Sequence, residues 1–342
     1  MAGIQPRGLV CLALLVIASL GSSTADAQTV IEPPAVSPGA RSLGFGGAFV
    51  AVADDATASW TNPSGLMQLV RPEISAEGRS WSEDRDGLAS NLSSLGFLSF
   101  VLPRRTWSLA VYGQTLSSLE VSDGELGSGS DPTPVSDLIV AAAGVSAALR
   151  ISEDVSVGFG FAAFAGVATA GVGLEPSSFP FFDDEVRTEP GATAGVMWNV
   201  NDTWVLAASF RSGADFRFNS GDRAVFPDIT SIGGRWRSAG GNATVAAEVE
   251  RLDGLEDRLR PHLGGEWVFL NAKPLVGLRG GVWYDPEGSA ARTGVDSQQH
   301  AGDGVIHSSM GVGLAWKRVQ VDLGGDLSER TTIVALSVIV TF

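Results

Sequence analysis

The sequence predicts an all-β chain, a transmembrane antiparallel up-and-down β-barrel of about 14 strands with a small N-terminal plug, or hatch, segment. Three observations lead there. The first residues have the make-up of an export signal. The apolar residues, 44% of the chain, contain no uninterrupted run of membrane-spanning length beyond residue 27. From residue 71 onward they alternate with polar or small residues in period two, up to a terminal Phe342.

Residues 1–27 are expected to be a cleaved signal peptide. Arg7 supplies the positive start, Leu9 to Leu20 the apolar core, and Ala25-Asp26-Ala27 an A-x-A cleavage site. The apolar run is too short to cross a bilayer core, which needs about 20 residues. Cys11 opens that run where a lipidated cysteine would close it, so a lipoprotein is not expected. It is also the single cysteine of the chain. Past the signal there is therefore no disulfide, cysteine nucleophile or thiolate ligand.

The net charge is −15, and removing Arg7 and Asp26 with the signal leaves it unchanged. A polyanion is repelled by such a surface, and no basic stripe offsets it, so nucleic acid is excluded as a partner.

Strands are expected near 71–81, 92–102, 105–116, 136–151, 153–168, 185–199, 202–212, 228–239, 242–252, 261–270, 274–285, 305–317, 318–328 and 331–342. The last is the clearest. Val334, Leu336, Val338, Val340 and Phe342 share one face, with Ile339 the one large apolar residue on the other. In Val155–Ala162 and Met310–Trp316 bulky residues likewise alternate with small ones, as lipid-facing and lumen-facing positions do. Trp81, Trp107, Trp198, Trp204, Trp236, Trp267, Trp283 and Trp316 lie at or near strand ends, where an interfacial girdle would place them. Short connections such as 200–202 and 317–318 suit periplasmic turns. The stretches 117–135, 170–186, 213–227 and 286–304 suit longer external loops.

Residues 28–70 break the alternation and form a separate plug segment, leaving 71–342 to the barrel. Gly44, Gly46 and Gly47 permit positive φ and close backbone approach. Asp54 and Asp55 can cap the turn that follows and pair with lumenal arginines. Asn62-Pro63, followed by Ser64-Gly65-Leu66, fixes a turn.

This stretch, from Gly39 to Leu66, resembles the start of the FadL/OmpP1 (TodX-like) family of outer-membrane transporters for hydrophobic compounds. There a glycine-rich run, an acidic pair and an Asn-Pro-Ala-Gly-Leu motif form a plug; here Ser64 stands where that motif has Ala. The segment is similar as well to the opening of PorV-type barrels. A terminal strand ending in Phe342 resembles the assembly signal of bacterial outer-membrane barrels. The first resemblance implies residence in the bacterial outer membrane and passive uptake of hydrophobic small molecules such as long-chain fatty acids, which leave through an opening in the wall. The second implies a role in protein secretion or surface assembly. Either way the expected partners are outer-membrane lipid and, during biogenesis, the barrel assembly machinery; the first adds a hydrophobic small-molecule ligand. The barrel is expected to be a monomer.

Period-two counting turns Arg235, Arg237, Glu248, Glu250, Glu266, Arg279 and Asp322 into the lumen, where opposite charges on adjacent strands are tolerated. Phe179, Phe181 and Phe182 form an apolar patch in an external loop that could capture a ligand. Catalytic chemistry is not in view. The chain has no G-x-S-x-G, P-loop or H-E-x-x-H, and His262, His300 and His307 lack metal-ligand spacing, so neither enzyme activity, cofactor nor metal is expected.

Overall fold

The computed structural model describes residues 29–30, 37–85, 88–121, 134–172, 182–217, 223–253, 258–286, 304–329 and 331–342. The signal segment and the candidate capture residues Phe179 and Phe181 lie outside these, while Phe182 begins a strand.

Seventeen strands occur among the described residues. They are β1 (Thr29–Val30), β2 (Glu73–Arg85), β3 (Leu88–Pro103), β4 (Trp107–Val121), β5 (Pro134–Arg150), β6 (Val155–Val172), β7 (Phe182–Asn199), β8 (Trp204–Arg211) and β9 (Ala214–Arg217). Then follow β10 (Arg223–Phe226), β11 (Asp228–Arg237), β12 (Ala243–Asp253), β13 (Arg258–Phe269), β14 (Leu275–Asp285), β15 (Val305–Ala315), β16 (Val319–Leu327) and β17 (Thr331–Thr341). All but β1, β9 and β10 close into a 14-stranded barrel, sealed where β17 pairs antiparallel with β2. Closure gives every wall strand a hydrogen-bonded neighbour on both sides, the condition for spanning lipid with strands.

Alternation decides which way each side chain points. Along β12, Val245, Ala247 and Val249 are exposed on the outside, while Thr244, Ala246, Glu248 and Glu250 are buried inside. In β17, Ile333, Ala335, Ser337 and Ile339 face in and Val334, Leu336 and Val338 face out, which explains why Ile339 breaks the outward pattern. The outside is an apolar band suited to lipid.

One end of the barrel has only short connections, and there Trp107, Trp204, Trp267 and Trp316 are exposed as a belt. Trp283 does not join them. Its indole is 2% exposed and turned inward, stacked between His262 and His307. The short connections carry Arg71, Arg104, Arg105, Lys273, Lys317 and Arg318 against only Glu153, Asp154 and Asp202, an excess of positive charge in an acidic chain.

Two of the expected external loops, 117–135 and 170–186, are shortened because β4 to β7 run on into them. These four strands have 15, 17, 18 and 18 residues, whereas β8 has 8. The stretch 213–227 is not a plain loop. It forms a β9–β10 hairpin, which β10 extends by a parallel pairing with β1. Phe216 and Phe226 anchor this tongue inside the tall side of the barrel. The sequence showed its Gly and Pro but gave too few residues per strand for alternation to register.

Candidate functional site

The plug is built from very short pieces: α1 (Ala40–Gly44), α2 (Ala58–Thr61) and a 3-10 helix (Pro63–Gln68). Pieces this short have no stability of their own, so the barrel wall must hold them. Gly46 and Gly47 reverse the chain after α1 with φ of 70° and 75°. Asn62 Oδ1 accepts from Ser64 N at 3.2 Å, its side-chain amide donates to Val50 O at 2.9 Å, and Pro63 stands at the start of the 3-10 helix. Asp55 Oδ1 accepts from the backbone and the hydroxyl of Thr57, closing the turn before α2.

The wall receives this segment in two ways. On one side, wall glycines give the plug backbone room. A Cβ on Gly281 would lie 2.6 Å from Gly46, and one on Gly44 of the plug would lie 2.8 Å from Gly311. Gly264, Gly324, Gly158 and Gly195 are similarly filled by Phe45, Ala40, Pro63 and Asn62, and Gly65 by Ala53 within the plug. On the other side, wall hydroxyls satisfy plug carbonyls. Ser108 donates to Leu66 O at 3.0 Å, Ser146 to Ser59 O at 2.7 Å, Ser156 to Ser64 O at 3.1 Å and Ser99 to Ala56 O at 3.2 Å. Wall carboxylates take plug N–H groups: Glu248 from Val50 at 2.7 Å, Glu73 from Ala56 at 2.6 Å, and Glu77 from Gly39.

The lumenal charges follow the same plan. Arg41 of α1 bonds Asp54 and, through two nitrogens, Glu266. Glu266 lies directly across from Arg279, bonded at 2.7 Å, and Arg279 continues to Asp322 at 2.6 Å. Arg235 and Arg237 do not pair with Glu248 and Glu250. The register sets the arginines opposite Ala246 and Thr244, so they turn instead to Gln68 and Asp54 of the plug, at 3.3 and 3.4 Å. Glu250 faces His262 at 3.5 Å, and His262 also contacts Gly46 O at 2.8 Å. Burial works to lower the pKa of Arg41, but Asp54, Glu266 and Asp55 outweigh it and hold the group well above its ordinary value. Burial pushes the Asp55 carboxyl up, and the charge of Arg41 and the Thr57 bonds bring it only part of the way back.

A second polar group escaped the sequence reading. Asp326 accepts from Trp283 Nε1 at 2.9 Å, meets His307 Nδ1 at 2.6 Å and takes the Ser309 hydroxyl, all buried. Its members lie on β14, β15 and β16, and only the pairing register brings them together.

Beyond the plug, toward the tall side, lies a buried aromatic cluster. Trp60 forms its floor, edge-on to Tyr112 at 5.7 Å and to Phe164 at 6.2 Å, and Phe97 stacks on Tyr112 at 6.5 Å. Arg211 covers the Trp60 ring at 4.4 Å. Among the described residues the buried Tyr112 hydroxyl and Gln114 Oε1 find no hydrogen-bond partner. The β3–β4 ladder stops beside this cluster. Among the described residues β3 and β4 pair only from Phe97 with Gln114 to Pro103 with Ser108, although β3 stays paired with β2, and β4 with β5, well beyond. Each strand carries one extra residue at that level: Gly96 in β3 and Leu116 in β4, where the registers shift. Such bulges bend strands apart. At this level Leu95 is 60% exposed, and a Cβ added to Gly113 would meet nothing within 4 Å. Seven paired residues on tilted strands put the end of the β3–β4 ladder about 18 Å above the short turns.

No family model and no curated protein matches the sequence. Solved structures do match the fold. A Pseudomonas aeruginosa FadL homologue superposes with a TM-score of 0.65 at 11% identity, covering 88% of this chain and 98% of its own. The CymD monoaromatic hydrocarbon channel gives 0.66 at 14%, covering 89% and 97%. The Pseudomonas putida toluene transporter TodX gives 0.64 at 15%, covering 92% and 98%. The fold is that of the FadL-like barrels. Few side chains are shared at such identities, so the roles of the aromatic cluster and the gap rest on the chemistry of their own residues.

Proposed function

We propose that this chain is a bacterial outer-membrane protein for passive uptake of hydrophobic small molecules, a class that includes long-chain fatty acids and monoaromatic hydrocarbons. The observation that carries the reading is the β3–β4 gap beside the aromatic cluster, which we read as the lining of a ligand chamber, above a plug bonded to the wall. A plug whose N–H and C=O groups are taken up by the wall is costly to withdraw, since each bond left unmade inside costs about 1–3 kcal/mol. The path of least resistance for an apolar solute is sideways, from the chamber past Leu95 and Gly113 into lipid. The solved neighbours support the reading, since they include a monoaromatic hydrocarbon channel and a toluene transporter. The chamber needs only to hold and pass a greasy body; no group in it is arranged for bond making, so an enzyme is not proposed.

The test uses the mature chain in lipid nanodiscs and in vesicles. Native mass spectrometry is expected to find retained apolar ligand, and vesicles carrying the barrel are expected to take up toluene or a fatty acid faster than empty ones. A barrel that retains neither and leaves uptake unchanged overturns the proposal.

A further inference from the structure

A groove at the short-turn end of the barrel has no part in the route just described. It has a volume of about 900 Å³ and lies between the β3–β4 turn, the β5–β6 turn and the end of the plug's 3-10 helix. Its floor is apolar: Met67, Leu69, Val70 and Pro103. Val70 is 90% exposed, an apolar side chain held open directly after a buried plug. Its rim is basic, with Arg104, Arg105 and Arg150 against the single acid Glu153. Two of these arginines are already oriented. Arg150 donates to Met67 O at 3.0 Å, and Arg104 lies over the ring of Trp107 at 5.8 Å. Trp107 belongs to the exposed belt, so the arginine rim sits at headgroup depth, with Met67 and Leu69 just over it on the lumen side, and the rim continues the positive excess of the short turns.

We propose that this groove binds an anionic phospholipid of the inner leaflet, with the phosphate on Arg104 and Arg105 and the start of an acyl chain over Met67, Leu69 and Val70. The charge of the rim selects the headgroup, because guanidinium forks match phosphate oxygens and clustered arginines at a membrane surface draw anionic lipid. The apolar floor separates the site from a purely electrostatic rim, since a soluble anion gains nothing from Val70. The lipid would brace the base of β3 to β6, a group that includes β3 and β4, the two strands whose far halves border the gap. The assignment rests on the outer-membrane reading above, which sets this end toward the periplasm.

Native mass spectrometry of the mature chain, extracted after incubation with mixed phosphatidylglycerol and phosphatidylethanolamine vesicles, tests it. Phosphatidylglycerol is expected to be retained preferentially. Arg104→Gln with Arg105→Gln should weaken retention about 10- to 30-fold, and Val70→Asn should weaken it in the intact rim. Lys317→Gln with Arg318→Gln, on the far side of the same end, should leave it unchanged. Equal retention of the two lipids, or equal loss in both double variants, overturns the proposal. Heat-modifiable gel mobility verifies that each variant is a folded barrel. Solute uptake measured on the same samples judges the transport reading separately, since a barrel can keep either property without the other.

Discussion

Arg41 of the plug and Glu266 of the wall are joined by two hydrogen bonds, Nε to Oε1 at 3.2 Å and Nη2 to Oε2 at 3.1 Å. The fork is the centre of a chain running from Asp54 and Asp55 through Arg41, Glu266 and Arg279 to Asp322. Arg41→Ala leaves the plug acids and Glu266 short of their shared cation, and removing one partner of a buried ionic group costs about 3–5 kcal/mol. Hydrogen exchange of the amides from residue 42 to 61 is expected to speed up strongly while the barrel strands stay protected. Unchanged plug protection would show that the glycine and serine contacts suffice without the ion chain.

Those contacts make a sharper pair of variants. Gly281→Ala forces a Cβ to within 2.6 Å of Gly46, backbone against backbone, with no flexible side chain to give way. Gly265→Ala, on the neighbouring strand, meets only Thr244 O at an ordinary 3.7 Å. The first is expected to loosen the plug and the second to leave it in place, as read by limited proteolysis within residues 39–66. Equal behaviour of the two would mean that the plug is not held where the wall glycines are.

The barrel was legible because its signal is periodic and long. All fourteen wall strands overlap the segments marked by alternation, and the mismatch at Ile339 was itself a lumen-facing side chain. What stayed hidden depends on register. Arg235 and Glu248 share the lumen side, yet a pairing offset of two residues sends the arginine to Gln68 and the glutamate to Val50 N. The Trp283–His307–Asp326 group and the β3–β4 gap are likewise products of how strands align, and no single strand announces them. The gap has one local trace, Gly96 and Gly113 in otherwise bulky strands, which acquires meaning only once both are seen beside the same unpaired stretch.

Asp55 predicts a pH dependence of plug docking. Its docked pKa is raised above the ordinary 3.8, chiefly by burial, so the docked plug binds this proton more tightly than the released one. Stability therefore falls as pH rises from 3.8 toward the raised value, and is greatest on the acid side. Exchange of the amides at 56–60, corrected for intrinsic rates, should be slower at mildly acidic than at neutral pH. Asp55→Asn keeps an acceptor for Thr57 and removes the titration, so its plug should show a flattened profile. A wild-type profile already flat, or one of opposite slope, contradicts this account.

The gap can be closed without touching the plug. Thr115 Oγ1 donates to Leu95 O at 3.2 Å across the point where β3 and β4 part, so these two positions face each other over the opening. The sole cysteine of the chain is Cys11, so Leu95→Cys with Thr115→Cys in a Cys11→Ser background gives one defined pair of thiols. Oxidation is expected to slow uptake of apolar solutes, and a reductant to restore it. A bulky side chain on the lipid face should act the same way without redox chemistry: Gly113 alternates with the buried Tyr112 and Gln114 and so points outward, where Gly113→Leu is expected to cover the exit from outside and Gly113→Ala to be silent. Retained ligand should persist in both closed forms, because the aromatic cluster around Trp60 is left intact. Uptake that continues at the wild-type rate through a cross-linked wall would move the exit away from β3 and β4 and toward the plug itself.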